Sequence, residues 1–280
     1  MTCSTSSWSV QTPKFWRDPA LPFIEARKIQ DGRHICYARH AHETFSIGSI
    51  TGGTCTYLNG LHSELISVGA VVVINPGDVH ACNPVDRQSW SYHMMHVDPH
   101  WLACRQREAG WYLASGFRPF ATRLTTEPLL FDGLSQLYSI LVDGQAGAQQ
   151  KIDRATSFFT DLACMFDPRI ISGGRSKPGL ERLADYIREN CTKSLTIEDM
   201  CVIGGLSSAH MTRLFKAQYG MTPHAYQINC RVEYSRAQLR HGRAIAEVAV
   251  EAGFSDQAHL QRVFRQMTAA TPGQYRKYTA

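Results

Sequence analysis

Between Arg33 and Val97 the apolar and β-branched residues come in short stretches separated by turn clusters. The stretches are His34–Tyr37, Phe45–Ile50, Thr54–Leu58, Glu64–Ser67, Ala70–Ile74 and Ser91–Val97. The turns are Thr51-Gly52-Gly53, Asn59-Gly60, Gly69 and Asn75-Pro76-Gly77-Asp78. This spacing predicts a small antiparallel sandwich or barrel over about 20–100. Asn59-Gly60 is its clearest hairpin, because both residues tolerate the positive φ of a tight turn. From Glu127 the period becomes helical. Leu129, Leu130, Leu134, Leu137, Tyr138 and Leu141 recur at three- and four-residue steps, and Ile152, Ala155, Phe158, Phe159, Leu162 and Phe166 do so after Asp143-Gly144. Two amphipathic helices follow over about 127–166, and their apolar faces suit either a cover for the barrel or a dimer seam. Asp167-Pro168 ends the second, and Ser172 to Gly179 reads as a flexible linker. The predicted organisation is α+β, with one domain over 1–170, a linker over 171–179 and an all-α domain over 180–280.

The last hundred residues repeat themselves. Ile197, Met200, Gly205 and Ser207 fall on Ile245, Val248, Gly253 and Ser255 at an offset of 48. His210, Arg213, Phe215, Thr222-Pro223 and Tyr226 then fall on His259, Arg262, Phe264, Thr271-Pro272 and Tyr275 at an offset of 49, so one residue is inserted at the second turn. Each copy reads as a short helix ended by glycine and a second helix opened by serine, a helix-turn-helix written twice. Met211, Leu214 and Phe215 pack inward in the first copy, as Leu260, Val263 and Phe264 do in the second. Ser208, Ala209, Thr212, Arg213 and Lys216 are left outward, with Asp256, Gln257, His259, Gln261, Arg262 and Arg265 as their counterparts. Such side chains reach base edges and phosphates: Arg bonds guanine bidentately and Gln bonds adenine. Between the copies Thr222 caps and Pro223 opens a helix running to about His241, roughly 28 Å long at 1.5 Å per residue. That rod suits two recognition helices set one turn of duplex, about 34 Å, apart.

Charge sharpens this division. The net formal charge of +5 is uneven: residues 1–174 carry 14 Lys/Arg against 15 Asp/Glu, and residues 175–280 carry 15 against 9. The excess therefore lies on the repeat, the footprint of a polyanion binder. Eight of the twelve histidines lie between His34 and His100 instead. Nine cysteines without a C-x-x-C pair argue against a disulfide framework or a thiolate zinc site and suit a reducing cytoplasm. The first residues lack a basic and an apolar segment, so no secretory leader is expected. The longest apolar run, Ala70–Ile74, is too short to cross a bilayer.

The segment AEVAVEAGFSDQAHLQRVFRQ with TPGQYRK, preceded by LSSAHMTRLFKAQYGMTPHAY, resembles the AraC/XylS family of bacterial transcription regulators over about residues 180–278. The resemblance implies a seven-helix unit with two helix-turn-helix motifs, base contacts from the outward residues above, and activation through RNA polymerase. Two departures stand out. Cys201-Val202-Ile203-Gly204 replaces an alanine-rich stretch, and Ala269 stands where the family has glycine. The second is expected to cost little if the backbone there avoids positive φ.

His40-Ala41-His42-Glu43 followed by Asn75-Pro76-Gly77-Asp78-Val79-His80 resembles the two motifs of the cupin barrel, and in particular the effector domain of AraC-type regulators. On a strand, His40 and His42 share one face, and with His80 three imidazoles could converge as a set for zinc or iron. The metal-binding cupin pattern wants a further glutamate, which Thr44 to Ser49 lack, while Glu43 points away. An effector pocket, with no cofactor, is the better reading, lined by Arg39, His40, His42, His80, Trp90 and Tyr92. His93 and His96 fall on alternate faces, so at most one shares that cavity. The expectation is a homodimeric regulator, not an enzyme, that binds a small-molecule effector and double-stranded DNA and no membrane. The alternative is a metal-dependent cupin enzyme with a helical appendage.

The segment 175–280 alone is expected to bind duplex DNA with an affinity that falls steeply with salt, because neutralised phosphates release counterions. Fluorescence anisotropy across a salt series checks this, and a salt-insensitive affinity would remove the electrostatic argument.

Overall fold

The computed structural model describes residues 13–112, 116–169 and 178–277. The sheet-rich part begins with β1 (Lys14–Trp16), β2 (Ile24–Ile29), β3 (Phe45–Gly52) and β4 (Thr54–Asn59). It continues with β5 (His62–Ser67), β6 (Val71–Ile74), β7 (His80–Pro84), β8 (Ser91–Val97) and β9 (Leu124–Thr125). Six strands pair in the order β1-β2-β8-β3-β6-β9, and three in the order β5-β4-β7. The expected closed barrel is therefore two cupin-like sheets packed face to face. The chain from Gly32 to Thr44 crosses between them as a loop, so His34–Tyr37 is not the strand its alternation predicts. Its backbone is satisfied by a side chain instead: Asn83 accepts from the Tyr37 N–H at 2.6 Å and donates to the Tyr37 carbonyl at 3.2 Å. His40 joins His80 by a single antiparallel bridge.

The all-apolar β6 is buried on both faces, which explains its composition. Val71 and Val73 pack with Phe45, Ile47 and Met95 against helices, while Val72 and Ile74 pack with Tyr57, Ile66 and Trp90 between the sheets. The covering helices are α1 (Pro99–Glu108), α2 (Pro128–Val142) and α3 (Ala148–Met165). Leu130, Leu134, Leu137, Leu141, Phe159 and Leu162 all lie in the sheet-facing core, so the apolar faces of α2 and α3 are occupied by covering the larger sheet.

The C-terminal helices are α4 (Pro178–Asn190), α5 (Ile197–Gly204), α6 (Ser208–Tyr219), α7 (Pro223–Arg240), α8 (Ile245–Glu251), α9 (Gln257–Thr268) and α10 (Pro272–Lys277). α5–α6 and α8–α9 are the two helix-turn-helix units, each with its own core, and α7 is the rod between them. Thr222 caps α7 by accepting from the Ala225 N–H. Gly253 has φ 80°, and a Cβ there would stand 2.3 Å from the Thr192 carbonyl, so both conformation and space require glycine. The linker predicted over 171–179 lies mostly outside the described residues.

The serine caps differ from expectation. Ser207 occupies the N-cap of α6 without a side-chain cap bond. In the second copy the cap is Asp256, whose carboxylate accepts from the His259 N–H at 2.7 Å, while Ser255 donates to Asp256. The inserted residue moves the helix start by one position, and aspartate is the stronger acceptor for the free N–H groups.

Ala269 also departs from expectation. It closes α9 in the left-handed region at φ 56°, a conformation in which a Cβ meets the following carbonyl. Ala269→Gly is expected to stabilise the helical part by about 1 kcal/mol. Denaturant unfolding of segment 178–280 with and without the substitution checks this; an unchanged or lower midpoint would show that no strain is stored there.

Candidate functional site

The cavity between the sheets is built by strand register. On the face of β2 that looks inward stand Glu25, Arg27 and Ile29, paired across the ladder with His96, Met94 and Tyr92 of β8. Those three pair in turn with Ser46, Gly48 and Ile50 of β3, and Gly48 with Val72 of β6. Gly48 makes room for its neighbour, since a Cβ there would lie 2.7 Å from the Met94 methyl. The loop before β3 adds Tyr37, His40 and His42, and β7 adds His80. The result is a cavity of about 40 Å³ with Trp90, Ile50 and Val72 at its apolar end and imidazoles at the other.

Three of these imidazoles are oriented alike. His40 Nδ1 lies 2.9 Å from the Ala38 carbonyl, His42 Nδ1 2.9 Å from the Thr44 carbonyl, and His80 Nδ1 2.9 Å from the Asp78 carbonyl. A carbonyl only accepts, so each Nδ1 carries the proton and each Nε2 is left as an acceptor. One ring nitrogen from each lies within 4.8 Å of the others. The convergence predicted from sequence is present, although His40 and His42 sit on a loop and not a strand. His96 joins them: its Nδ1 shares the Ser46 hydroxyl, at 2.7 Å, with His42 Nε2, at 3.3 Å. His93 faces the other way and stacks on Tyr138 at 4.0 Å.

Burial pushes all five imidazoles below the ordinary histidine range, His80 and His93 to about 4. Neighbouring imidazoles and the Arg236 guanidinium push His40, His42 and His96 further in the same direction, and Arg27 adds to this at His40 and His96. The rings are thus neutral at physiological pH.

The arginine of this cavity is Arg27, not Arg39. Arg39 lies exposed on the crossing loop and does not line the cavity. Arg27 is 8% exposed and donates to the hydroxyls of Tyr37 and Tyr92. Burial lifts the Tyr92 hydroxyl to about 12, so it remains a phenol. Neither Arg27 nor His96 was selected from sequence. The alternation of β2 is obscured by Glu25, Arg27 and Lys28, three charges in six residues.

The cupin resemblance raises a metal at His40, His42 and His80. The three Nε2 acceptors match such a site in number. Their surroundings do not, because Arg27 and Arg236 border the same imidazoles. Glu43 is exposed, and Asp78 is held by Arg169 at 2.7 and 3.0 Å. A cation there would meet like charge with no free carboxylate nearby, so the donor set does not fit a resident metal.

A second, smaller cavity lies on the other side of these imidazoles. Its walls are Arg27, His40, His42 and His96 from the sheets and Asn229, Arg236 and Tyr275 among those from the helices. The two parts of the molecule are docked around it. Glu25 accepts from Arg17 at 2.7 Å and from Arg240 at 3.1 Å, with Arg236 at 3.9 Å and the Tyr275 hydroxyl at 3.4 Å. Asn229 brackets the backbone of Ala41 with two bonds of 3.0 and 2.8 Å. The Ala38 N–H donates to the Gln266 carbonyl at the end of α9.

Ser208, Ala209, Arg213 and Lys216 of α6 are exposed, as are Gln257, Gln261, Arg262 and Arg265 of α9. Arg213, Arg262 and Arg265 have no ion pair among the described residues. Thr212 is half-buried. Asp256 and His259 have structural work, as the cap and as a ring 5.3 Å from Phe254.

Residues 24–159 match the family model of the AraC-like ligand binding domain, and residues 200–278 match a helix-turn-helix domain. The chain is 26% identical over 247 residues to the HTH-type transcriptional regulator YbfI of Bacillus subtilis strain 168, covering 87% of each protein. It is 23% identical over 239 residues to the XylDLEGF operon transcriptional activator 3 of Pseudomonas putida, covering 78% of this chain and 71% of that one. Among solved structures it shares the fold of ToxT from Vibrio cholerae with an unsaturated fatty acid bound, at TM-score 0.51 and 14% identity over 95% of each chain.

The buried imidazoles set the acid stability. Their folded-state values lie below the ordinary 6.5, so the unfolded chain takes up protons first as pH falls. Their contribution is complete above pH 6.5 and is lost as pH falls below it, for His80 and His93 down to about pH 4. The Glu25 carboxyl is held below its ordinary 4.5, because three guanidiniums outweigh the opposing effect of burial. Its contribution is present above pH 4.5 and is lost only below that. Urea midpoints are therefore expected to fall sharply between about pH 7 and pH 5.5, before any carboxylate titrates. A flat profile over that interval would contradict neutral buried rings.

Proposed function

The chain belongs to the AraC family of transcription regulators, and we propose that it regulates transcription through a compact effector held between its two sheets. The observation that carries this reading is the placement of the cavity. Its imidazole wall is shared with the contact between the sheets and α7, so a ligand touching His40, His42 or Arg27 bears on the docking of the DNA-binding helices. A ligand shifts that docking only by its difference in affinity for the two arrangements. Effector contacts are assigned to His40, His42, His80, Trp90 and Tyr92, with Arg27 and His96 added and Arg39 removed.

The DNA contacts are assigned to the exposed faces of α6 and α9: Ser208, Ala209, Thr212, Arg213 and Lys216, with Gln257, Gln261, Arg262 and Arg265. Asp256 and His259 are read as framework residues of the second motif. The units run over 1–170 and 180–280 with the linker between. The activator named in Pseudomonas putida supports activation, for which contact with RNA polymerase is proposed. The fatty acid held by ToxT supports a small-molecule effector in this fold. No helix of the described residues is long and apolar enough to cross a membrane, which agrees with a cytoplasmic protein. A homodimer fits the family role; Leu129, Val142 and Met165 are exposed apolar residues on α2 and α3 that a partner would cover. No catalytic role is assigned.

Arg213→Ala and Arg262→Ala are each expected to relax sequence preference at one half-site, costing about 1–3 kcal/mol if each guanidinium reads a base. Competition binding against operator variants measures this. Equal weakening on every sequence would make both residues phosphate contacts.

A further inference from the structure

Arg27 is a buried cation without a counter-charge. Among the described residues no carboxylate pairs with it; its guanidinium donates to the neutral hydroxyls of Tyr37 and Tyr92 and lies near the rings of Phe15, Tyr37 and Tyr92. Its Nε is buried with no acceptor at all. Glu25, two residues away on the same face, is already engaged by Arg17 and Arg240 and does not reach it. A buried guanidinium in this condition is costly, and the cost is removed by an anion entering the cavity.

The rest of the cavity adds two requirements. The Nε2 atoms of His40 and His80 are acceptors, and no donor among the described residues reaches either, so the occupant must carry a hydroxyl or N–H hydrogen. Trp90, Ile50 and Val72 require an apolar portion. The free volume of about 40 Å³, room for a few heavy atoms, limits the occupant to a small molecule.

Resting on the effector reading above, we propose that the cavity binds a compact hydroxycarboxylic acid, its carboxylate on Arg27 and the Tyr37 and Tyr92 hydroxyls, and its own hydroxyl donating to one of the imidazoles of His40 and His80. The site also borders the docking contact: Arg27 and Arg236, the latter paired with Glu233 at 2.9 Å, line one small void between the sheets and α7.

The test uses the full chain with lactate and glycolate as probes. Each is set against its neutral amide (lactamide, glycolamide) and its deoxy acid (propionate, acetate). Thermal unfolding gives binding, and DNA affinity is followed in parallel by anisotropy. At least one hydroxy acid is expected to raise the midpoint and to bind at least tenfold more tightly than its amide and its deoxy acid. Arg27→Gln, which keeps shape and hydrogen bonding without charge, is expected to lose that preference over the amide. Because it removes an unpaired buried cation, it is also expected to unfold at a temperature no lower than wild type without ligand.

An amide that binds as tightly as its acid, or a preference that survives in Arg27→Gln, overturns the anion assignment while leaving a neutral effector. A deoxy acid equal to its hydroxy acid overturns the hydroxyl contact. Failure of both hydroxy acids to bind overturns the proposal, as does a zinc-dependent shift lost in His80→Ala with no shift from any acid. The effector reading fails separately: a hydroxy acid that raises the midpoint of wild type and leaves its DNA affinity unchanged would sink that reading and not this one.

Discussion

The arrangement of the whole molecule depends on one buried carboxylate. Glu25 is 4% exposed, and an ionised carboxylate removed from water is tolerated only when charge and hydrogen bonds replace the lost solvent. Arg17 supplies them from the sheet side, and Arg240, Arg236 and Tyr275 supply them from α7 and α10. Arg17 also lies over the Tyr275 ring at 4.1 Å, and Phe15 from β1 meets the same ring edge-on, so the first described strand is part of the core of the second helix-turn-helix. Undocking the helices would leave Glu25 without two of its cations, and breaking a buried pair from one side costs about 3–5 kcal/mol. The pairing makes docking specific more than it makes it strong, because forming it also dehydrates four charges.

Three guanidiniums around two carboxylates, Glu25 and Glu233, leave a positive excess, and this excess shapes the neighbouring cavity. Arg236 and Arg240 reach towards the imidazoles across the domain contact, Arg27 reaches them from within the sheets, and every ring in the cluster is held neutral. A strand that carries Glu25 and Arg27 on one face therefore joins two sites in two residues. One is satisfied by the DNA-binding helices and the other is left open to solvent-borne ligand. Coupling needs no long pathway here, since β2 is rigid, α7 packs directly on its charged end, and both sites act on the same docking equilibrium.

Much of this was legible in the chain. The repeat with its one-residue insertion predicted both helix-turn-helix units and the rod between them, because each copy has local helix signals that need no distant partner. The strands that alternate cleanly were legible too. What could not be read was whatever depends on contacts made far along the sequence. β2, Ile24–Ile29, places Glu and Arg in the interior because residues more than two hundred positions away neutralise one of them, and a pattern rule sees only an interrupted strand. Arg39 is the arginine expected in the pocket, yet the loop turns it outward. Three histidines were brought together by motif, and the fourth, His96, only by the register of β8. The true cap of α9 was hidden by the same insertion that the repeat revealed.

Ala269 shows how docking acts on a single residue. Its left-handed backbone costs about 1–2 kcal/mol whether or not the helices are docked. Its methyl packs against the core between the sheets, a contact that exists only in the docked arrangement. Burying a methyl-sized group contributes about 0.8 kcal/mol, which is about fourfold in an equilibrium constant. The side chain therefore lowers the stability of the helical unit and at the same time favours docking. A glycine would do the reverse, giving a sounder helix end and a looser contact. Alanine at this position trades fold stability for a bias towards the arrangement in which cavity and DNA-binding helices are in contact, the arrangement through which a ligand can be felt.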